Sequence, residues 1–225
     1  MALEPAALLI GYLFGSIPSS YIAARFKKGI DIRSTDTGNV GAGSVFRVVG
    51  VRDGILVLLA DMGKGAAAVF AAQALGVSQA WVLGAGVAAI VGHTFPLFIN
   101  FRGGQGVATI IGIFLALTPR SMGVTLALIG IILLLNRRVV LHRFFFAVAC
   151  AAPALPLCIW LIESSATLTF YSLGIILVVM VRNRRRLRSP KTASMASLEA
   201  APMESARPEV GPTHADDGPV ETAWR

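Results

Sequence analysis

Long apolar runs with almost no charge inside them follow one another along this chain, near residues 3–24, 54–76, 80–99, 104–118, 121–136, 144–161 and 167–181. A helix rising ~1.5 Å per residue needs about 20 such residues to cross a hydrocarbon layer about 30 Å thick. A sequence that is 55% hydrophobic and only 14% charged, with a mean hydropathy of +0.72, has too little polar surface for a water-soluble domain. The pattern predicts an all-α integral membrane protein of about seven transmembrane helices. The fourth and fifth runs are short, because Pro119, Arg120 and Gly123 interrupt what would otherwise be one long helix. A re-entrant hairpin at that point would leave the remaining ends on the same sides.

Charge sets the orientation. Residues 1–188 hold 17 basic and 6 acidic side chains, and residues 189–225 hold 3 and 6. With the N-terminus outside, the inner loops collect Arg25, Lys27, Lys28, Arg33, Arg47, Arg52, Arg102, Arg137, Arg138, Arg143 and the cluster from Arg182 to Arg188, while the outer loops keep Arg120. Lys and Arg favour the cytoplasmic side, so the expected topology is N-out and C-in. The basic residues sit in short loops between apolar runs and are not interleaved with exposed aromatics, which argues against nucleic-acid binding. Leu3 to Ala24 has no basic residue ahead of it and carries Glu4, so it is expected to stay as a span and not to be cleaved as a signal peptide. Cys150 and Cys158 lie about 12 Å apart along a helix, too far to bridge. From Ser189 onward Pro, Ala, Ser, Thr and acidic residues take over without periodicity. The expected organisation is a transmembrane domain over 1–188 and a disordered cytoplasmic tail over 189–225.

Three glycine-rich polar segments interrupt the apolar pattern: Ser34 to Arg47, Asp61 to Gly65, and Gly92 to Thr109. Polar backbone and ionisable side chains at membrane depth are costly unless protein or a water-filled cavity surrounds them, so such segments mark a functional site. In the N-out topology all three fall at the cytoplasmic face. Glycines let successive N–H groups converge on an anion, and a helix start adds its dipole. Ser34, Thr37, Gly38, Gly41 and Ser44 in the first segment, and Arg102, Gly103, Gly104, Gln105 and Gly106 in the third, are therefore candidate substrate-binding residues. Structural alternatives stand beside these, because glycine also serves as a packing residue in membrane helices and basic residues serve as positive-inside anchors.

Asp61 and Lys64 share one helix face, either as a self-neutralising structural pair or as part of the substrate-binding set. Asn39, Arg47 and His93 are the candidate catalytic residues. Arg47 offers a planar fork to phosphate, and His93 can accept a hydroxyl proton or serve as a hydrogen-bonded structural residue. No metal-ligand spacing, Ser-His-Asp order or Walker segment is present, so neither metal nor cofactor is expected.

The motifs Gly15-Ser16-Ile17-Pro18 with Tyr21, Gly29 to Arg33, Thr37 to Ala42 with Arg47, Asp61 to Gly65, Gly92-His93 with Phe95-Pro96, and Gly103 to Thr109 resemble those of the acyl-phosphate-dependent glycerol-3-phosphate acyltransferase family of bacterial inner membranes, the PlsY type. The resemblance covers roughly the first half of the chain. It implies a seven-span, multi-pass enzyme with a cytoplasm-facing site that transfers an acyl group from acyl phosphate to the 1-hydroxyl of glycerol 3-phosphate, giving lysophosphatidate. It also implies that the Thr37-Gly38-Asn39 loop grips the donor phosphate while Arg47 and the Gly103 segment hold the acceptor. Departures concentrate on the acceptor side. Gln105 stands where the family usually has a lysine, Gly43-Ser44 replace a Thr-Asn pair, His142-Arg143 are followed by phenylalanines instead of a serine, and Arg182-Asn183-Arg184 lacks the family's histidine. Another hydroxyl acceptor, a membrane anion or lipid transporter, and a silent relative are the competing readings. If the acceptor site is merely weakened, Gln105→Lys is expected to raise glycerol-3-phosphate turnover. No change, or a loss, in that assay points to a different acceptor.

Overall fold

The computed structural model describes residues 3–34, 40–135 and 147–187, with side chains as far as Arg182. Every regular element among them is helical: α1 (Leu3–Ser16), α2 (Ser19–Lys28), α3 (Ala42–Val48), α4 (Val51–Ala74), α5 (Gln79–Thr94), α6 (Val107–Leu117), α7 (Pro119–Leu135), α8 (Ala147–Glu163) and α9 (Ala166–Leu187). Residues up to Val181 form one compact unit. The expectations for Thr37, Gly38, Asn39, His142, Arg143 and the 189–225 tail lie outside the described residues.

Three helical stretches have the length and apolar composition to cross a membrane: Leu3–Lys28, Val51–Ala74 and Gln79–Ile99. Four shorter apolar helices follow. The first predicted span is present as Leu3–Lys28, and within it Pro18 separates α1 from α2. Proline has no amide hydrogen to donate, and its ring clashes with the preceding turn. Ser19 N–H folds back to the Ile17 carbonyl at 3.0 Å, and α2 starts from the Pro18 carbonyl. The predicted division at Pro119 is present, with Thr118 alone between α6 and α7. At 11 residues α6 is about 16 Å long, short of a full crossing.

In lipid, helices gain little from hiding apolar side chains from one another, so association depends on close backbone contact at small residues. Gly11 and Gly15 of α1 lie directly on the Ala85 and Ala89 backbone of α5, and Gly92 of α5 lies on the Tyr12 carbonyl. On the other side of the bundle Gly65 of α4 meets the Thr109 carbonyl of α6, and Gly112 of α6 meets the Met62 carbonyl. A β-carbon at any of these five positions would overlap backbone. Small buried residues fill the space between the helices, among them Ala7, Ala72, Val82 and Ala85 around Ile113. Leu9, Leu56, Leu59, Phe70 and Phe170 instead point outward. Outward apolar side chains suit a lipid-facing surface.

Gly112→Val forces a branched side chain into the α4 backbone and is expected to cost at least about 1–3 kcal/mol. Gly123 of α7 has no atom near its would-be β-carbon. Gly123→Ala is therefore expected to stabilise by about 0.5–1 kcal/mol, as alanine restricts the unfolded chain. Thermal unfolding of both variants in detergent checks the pair.

Candidate active site

α4 carries Asp61 and Lys64 one turn apart on the face turned toward α1 and α5. The Lys64 ammonium lies 2.9 Å from Asp61 Oδ1, with side-chain exposures of only 5% and 3%. Charges so far removed from water must be paired. Lys64 also donates to the Ile17 carbonyl at 2.9 Å, at the point where Pro18 breaks the first span. His93, in the last turn of α5, places Nδ1 3.8 Å from the same Asp61 oxygen.

The third glycine segment is stitched to the end of α5. Gly103 N–H donates to the Thr94 carbonyl and Gly104 N–H to the His93 carbonyl, each at 3.1 Å. A β-carbon on Gly103 would overlap the His93 and Thr94 carbonyls. One on Gly104 would overlap the His93 ring and the Val40 carbonyl. These two glycines are thus required by close approach, and their amides are spent inside the protein. This corrects the expectation that those two amides cradle an anion. Gly106 then turns at φ 82°, a left-handed conformation that suits glycine, and starts α6. The first amides of α6 have no intrahelical partner and point back toward this loop.

One pocket joins the three segments. Val40 enters it from the first segment, Asp61 and Lys64 from the second, and His93, Gly103 and Gly104 from the third, with Ile17 to Ser20 of the helix break forming the opposite wall. Val40 directly follows Asn39 in the chain. Gly41 opens α3, whose Ser44 is buried and whose Arg47 is exposed in the last turn. Ser34 is exposed and donates to the Asp31 carbonyl at 2.7 Å. Arg102 is exposed, and Gln105 is half-buried. Asp61, Lys64, His93, Gly103 and Gly104 are thus brought together, while Ser34, Ser44, Arg47, Arg102 and Gln105 do not line the pocket. No three His, Cys, Asp or Glu side chains come together among the described residues.

Arg33 does not line the pocket but braces the loop beside it. Its guanidinium grips Asp31 in a fork, with Nη2 2.6 Å and Nε 3.0–3.1 Å from the carboxylate oxygens. It also lies 5.2 Å from the Tyr21 ring centre and donates to the Ile99 carbonyl at 3.3 Å. Arg33 therefore ties α2 to the loop that follows α5. Tyr12 does the same from α1, donating to the Phe95 carbonyl at 3.0 Å. That loop holds Asn100 and Phe101 at φ 55° and 57°, a costly conformation for residues with side chains, so such external ties matter. The two-residue spacing of Asp31 and Arg33 is the sequence signal for this pair.

An all-helical integral membrane protein with buried Asp61, Lys64 and His93 in the wall of a pocket between its helices is the class defined by this arrangement. Its relatives narrow the class. The family model for glycerol-3-phosphate acyltransferase matches residues 5–190. A glycerol-3-phosphate acyltransferase of Geobacter sulfurreducens is 38% identical over 179 residues, covering 80% of this chain and 89% of the relative. One from Geotalea daltonii is 40% identical over 186 residues, covering 81% and 93%. The crystal structure of PlsY (YgiH), an integral membrane glycerol 3-phosphate acyltransferase, is similar in its glycerol 3-phosphate form at a TM-score of 0.72 with 28% identity, covering 82% of this chain and 90% of that one. Its lysophosphatidic acid form gives a TM-score of 0.69 with 27% identity. The chain belongs to the glycerol-3-phosphate acyltransferase family.

The hydrogen bonds from Arg33 hold the Asp31 carboxyl down at about 2, below the usual 3.8. A depressed carboxyl stabilises the fold above its unfolded value, and this contribution fades as pH falls from about 4 through about 2. Asp31→Asn is therefore expected to lower stability at neutral pH by roughly 1 kcal/mol, allowing for partial solvent screening. The gap in melting temperature between variant and parent should close below pH about 4.

Proposed function

We propose that this protein transfers an acyl group from acyl phosphate to the 1-hydroxyl of glycerol 3-phosphate, giving lysophosphatidate, at the pocket bounded by Val40, Asp61, Lys64, His93, Gly103 and Gly104. The observation that carries this reading is the convergence of all three glycine segments on one pocket in a member of this family. The acceptor hydroxyl oxygen attacks the acyl carbonyl carbon, the bond to the phosphate oxygen breaks, and phosphate leaves. The hydroxyl proton passes to a nearby base or to the departing phosphate. Acyl phosphate is already an activated anhydride, so positioning and stabilisation of developing negative charge supply most of what the protein must add.

In this proposal Thr37, Gly38 and Asn39, immediately before Val40, hold the donor phosphate, together with Gly41 at the start of α3, while the buried Ser44 supports the loop from behind. Arg47 and Arg102, exposed beside the loops, close on the acceptor phosphate, with Ser34 and the Gln105-Gly106 turn alongside. His93 stands at the pocket wall as the candidate proton acceptor. The donor's acyl chain remains in lipid. The topology is seven-span and N-out, with the pocket opening to the cytoplasm from the bacterial inner membrane, a reading supported by the Lys and Arg distribution. With Gln105 neutral, the acceptor phosphate depends on arginine.

Purified protein mixed with acyl phosphate and glycerol 3-phosphate is expected to release phosphate and lysophosphatidate in equal amounts. Phosphate release without that lipid redirects the reading to another acceptor. A charge-assisted hydrogen bond contributes about 1.5–3 kcal/mol, so Arg47→Ala is expected to lower kcat/KM for glycerol 3-phosphate by roughly ten- to a hundredfold. Steady-state kinetics with the acceptor varied checks this.

A further inference from the structure

We propose that Asp61 and Lys64 are positioning residues of the pocket and not ligands of either substrate. The inference rests on the acyltransferase reading and assigns the ion pair a place within it. Pro18 interrupts the first span and leaves the Ile17 carbonyl without a regular helical partner. Ser19 N–H reaches it only through a tight turn at 3.0 Å, which leaves its second lone pair for a donor from elsewhere in the protein. Lys64 reaches it from α4 at 2.9 Å. A buried ammonium in turn needs an anion, and Asp61 supplies it one turn back at 2.9 Å. Two of the ammonium's three donors are thereby occupied.

The same carboxylate faces the His93 ring at 3.8 Å, and His93 receives Gly104 both through its carbonyl and against its ring. An unbroken series of contacts thus runs from the helix break through Lys64, Asp61 and His93 to Gly104 and Val40. It fixes the wall at Ile17 to Ser20 relative to both glycine loops. Asp61 next to Lys64 also cancels the charge that would draw in a phosphate. The pair holds the shape of the pocket and leaves phosphate binding to other groups.

The double variant Asp61→Asn with Lys64→Met removes both charges together, so neither is left buried alone. Its kcat for lysophosphatidate formation is expected to fall at least about tenfold through lost orientation. The KM for glycerol 3-phosphate and the inhibition constant for inorganic phosphate should stay within about threefold. Amide hydrogen exchange at Ser19 and Ser20 should accelerate as the break loosens. A rise of about tenfold or more in KM or in the phosphate inhibition constant would make Lys64 a direct ligand and overturn the proposal. An unchanged kcat, or unchanged exchange, would overturn it too.

If the double variant does not fold, Asp61→Glu keeps both charges and moves the carboxylate by one methylene. A drop in kcat of about threefold or more at constant KM and melting temperature supports the proposal, and an unchanged kcat sinks it. Absence of lysophosphatidate with the parent protein would defeat the acyltransferase reading. Exchange at Ser19 and Ser20 would still decide whether the pair holds the break.

Discussion

Backbone-to-backbone contact between helices is the constraint on which this structure depends. Gly11 and Gly15 bring α1 onto α5, and Gly65 and Gly112 bring α4 onto α6. Because lipid offers no strong apolar driving force between helices, this contact has to be bought with small residues and dispersion. Its consequence is reach. Within this bundle a lysine on α4 meets the Ile17 carbonyl at the break between α1 and α2 at 2.9 Å, and an aspartate on α4 faces a histidine on α5.

The pocket inherits its shape from that closeness. Gly103 and Gly104 are pressed against the end of α5 by two amide-to-carbonyl bonds, and the Val40 carbonyl packs on Gly104. The glycines in this loop therefore serve approach before they serve ligand binding. Arg33 and Tyr12 add ties from α2 and α1 to the loop after α5, each through a carbonyl of that loop. A loop with consecutive non-glycine residues at positive φ is held by its surroundings. Polar side chains reaching in from other helices supply the hold.

Much of the fold was legible because lipid imposes simple arithmetic on sequence. Run length predicted the helices, Pro119 predicted the division between α6 and α7, and three-residue spacing placed Asp61 and Lys64 side by side. Pro18 breaks the first span from inside an apolar run of sufficient length, which masks the interruption in the sequence. For the site, Asp61, Lys64, His93, Gly103 and Gly104 were recognisable from composition at membrane depth, and they meet in one pocket. The Asp31–Arg33 pair is local, but the reach of Arg33 to Tyr21 and the Ile99 carbonyl is set by the bundle and not by neighbours in the chain.

By itself, then, the sequence determined the membrane class, the number and approximate limits of the apolar helices, and the polar segments among them, because each follows from local hydrophobicity and backbone chemistry. Only the tertiary structure decided what those polar groups do to one another. That Lys64 spends its donors on Asp61 and the Ile17 carbonyl, and that the Gly103 and Gly104 amides are consumed by α5, are facts of distance between remote parts of the chain. Hydrogen bonds and ion pairs act over a few ångströms, and no pattern along a chain specifies which remote atoms come within that range.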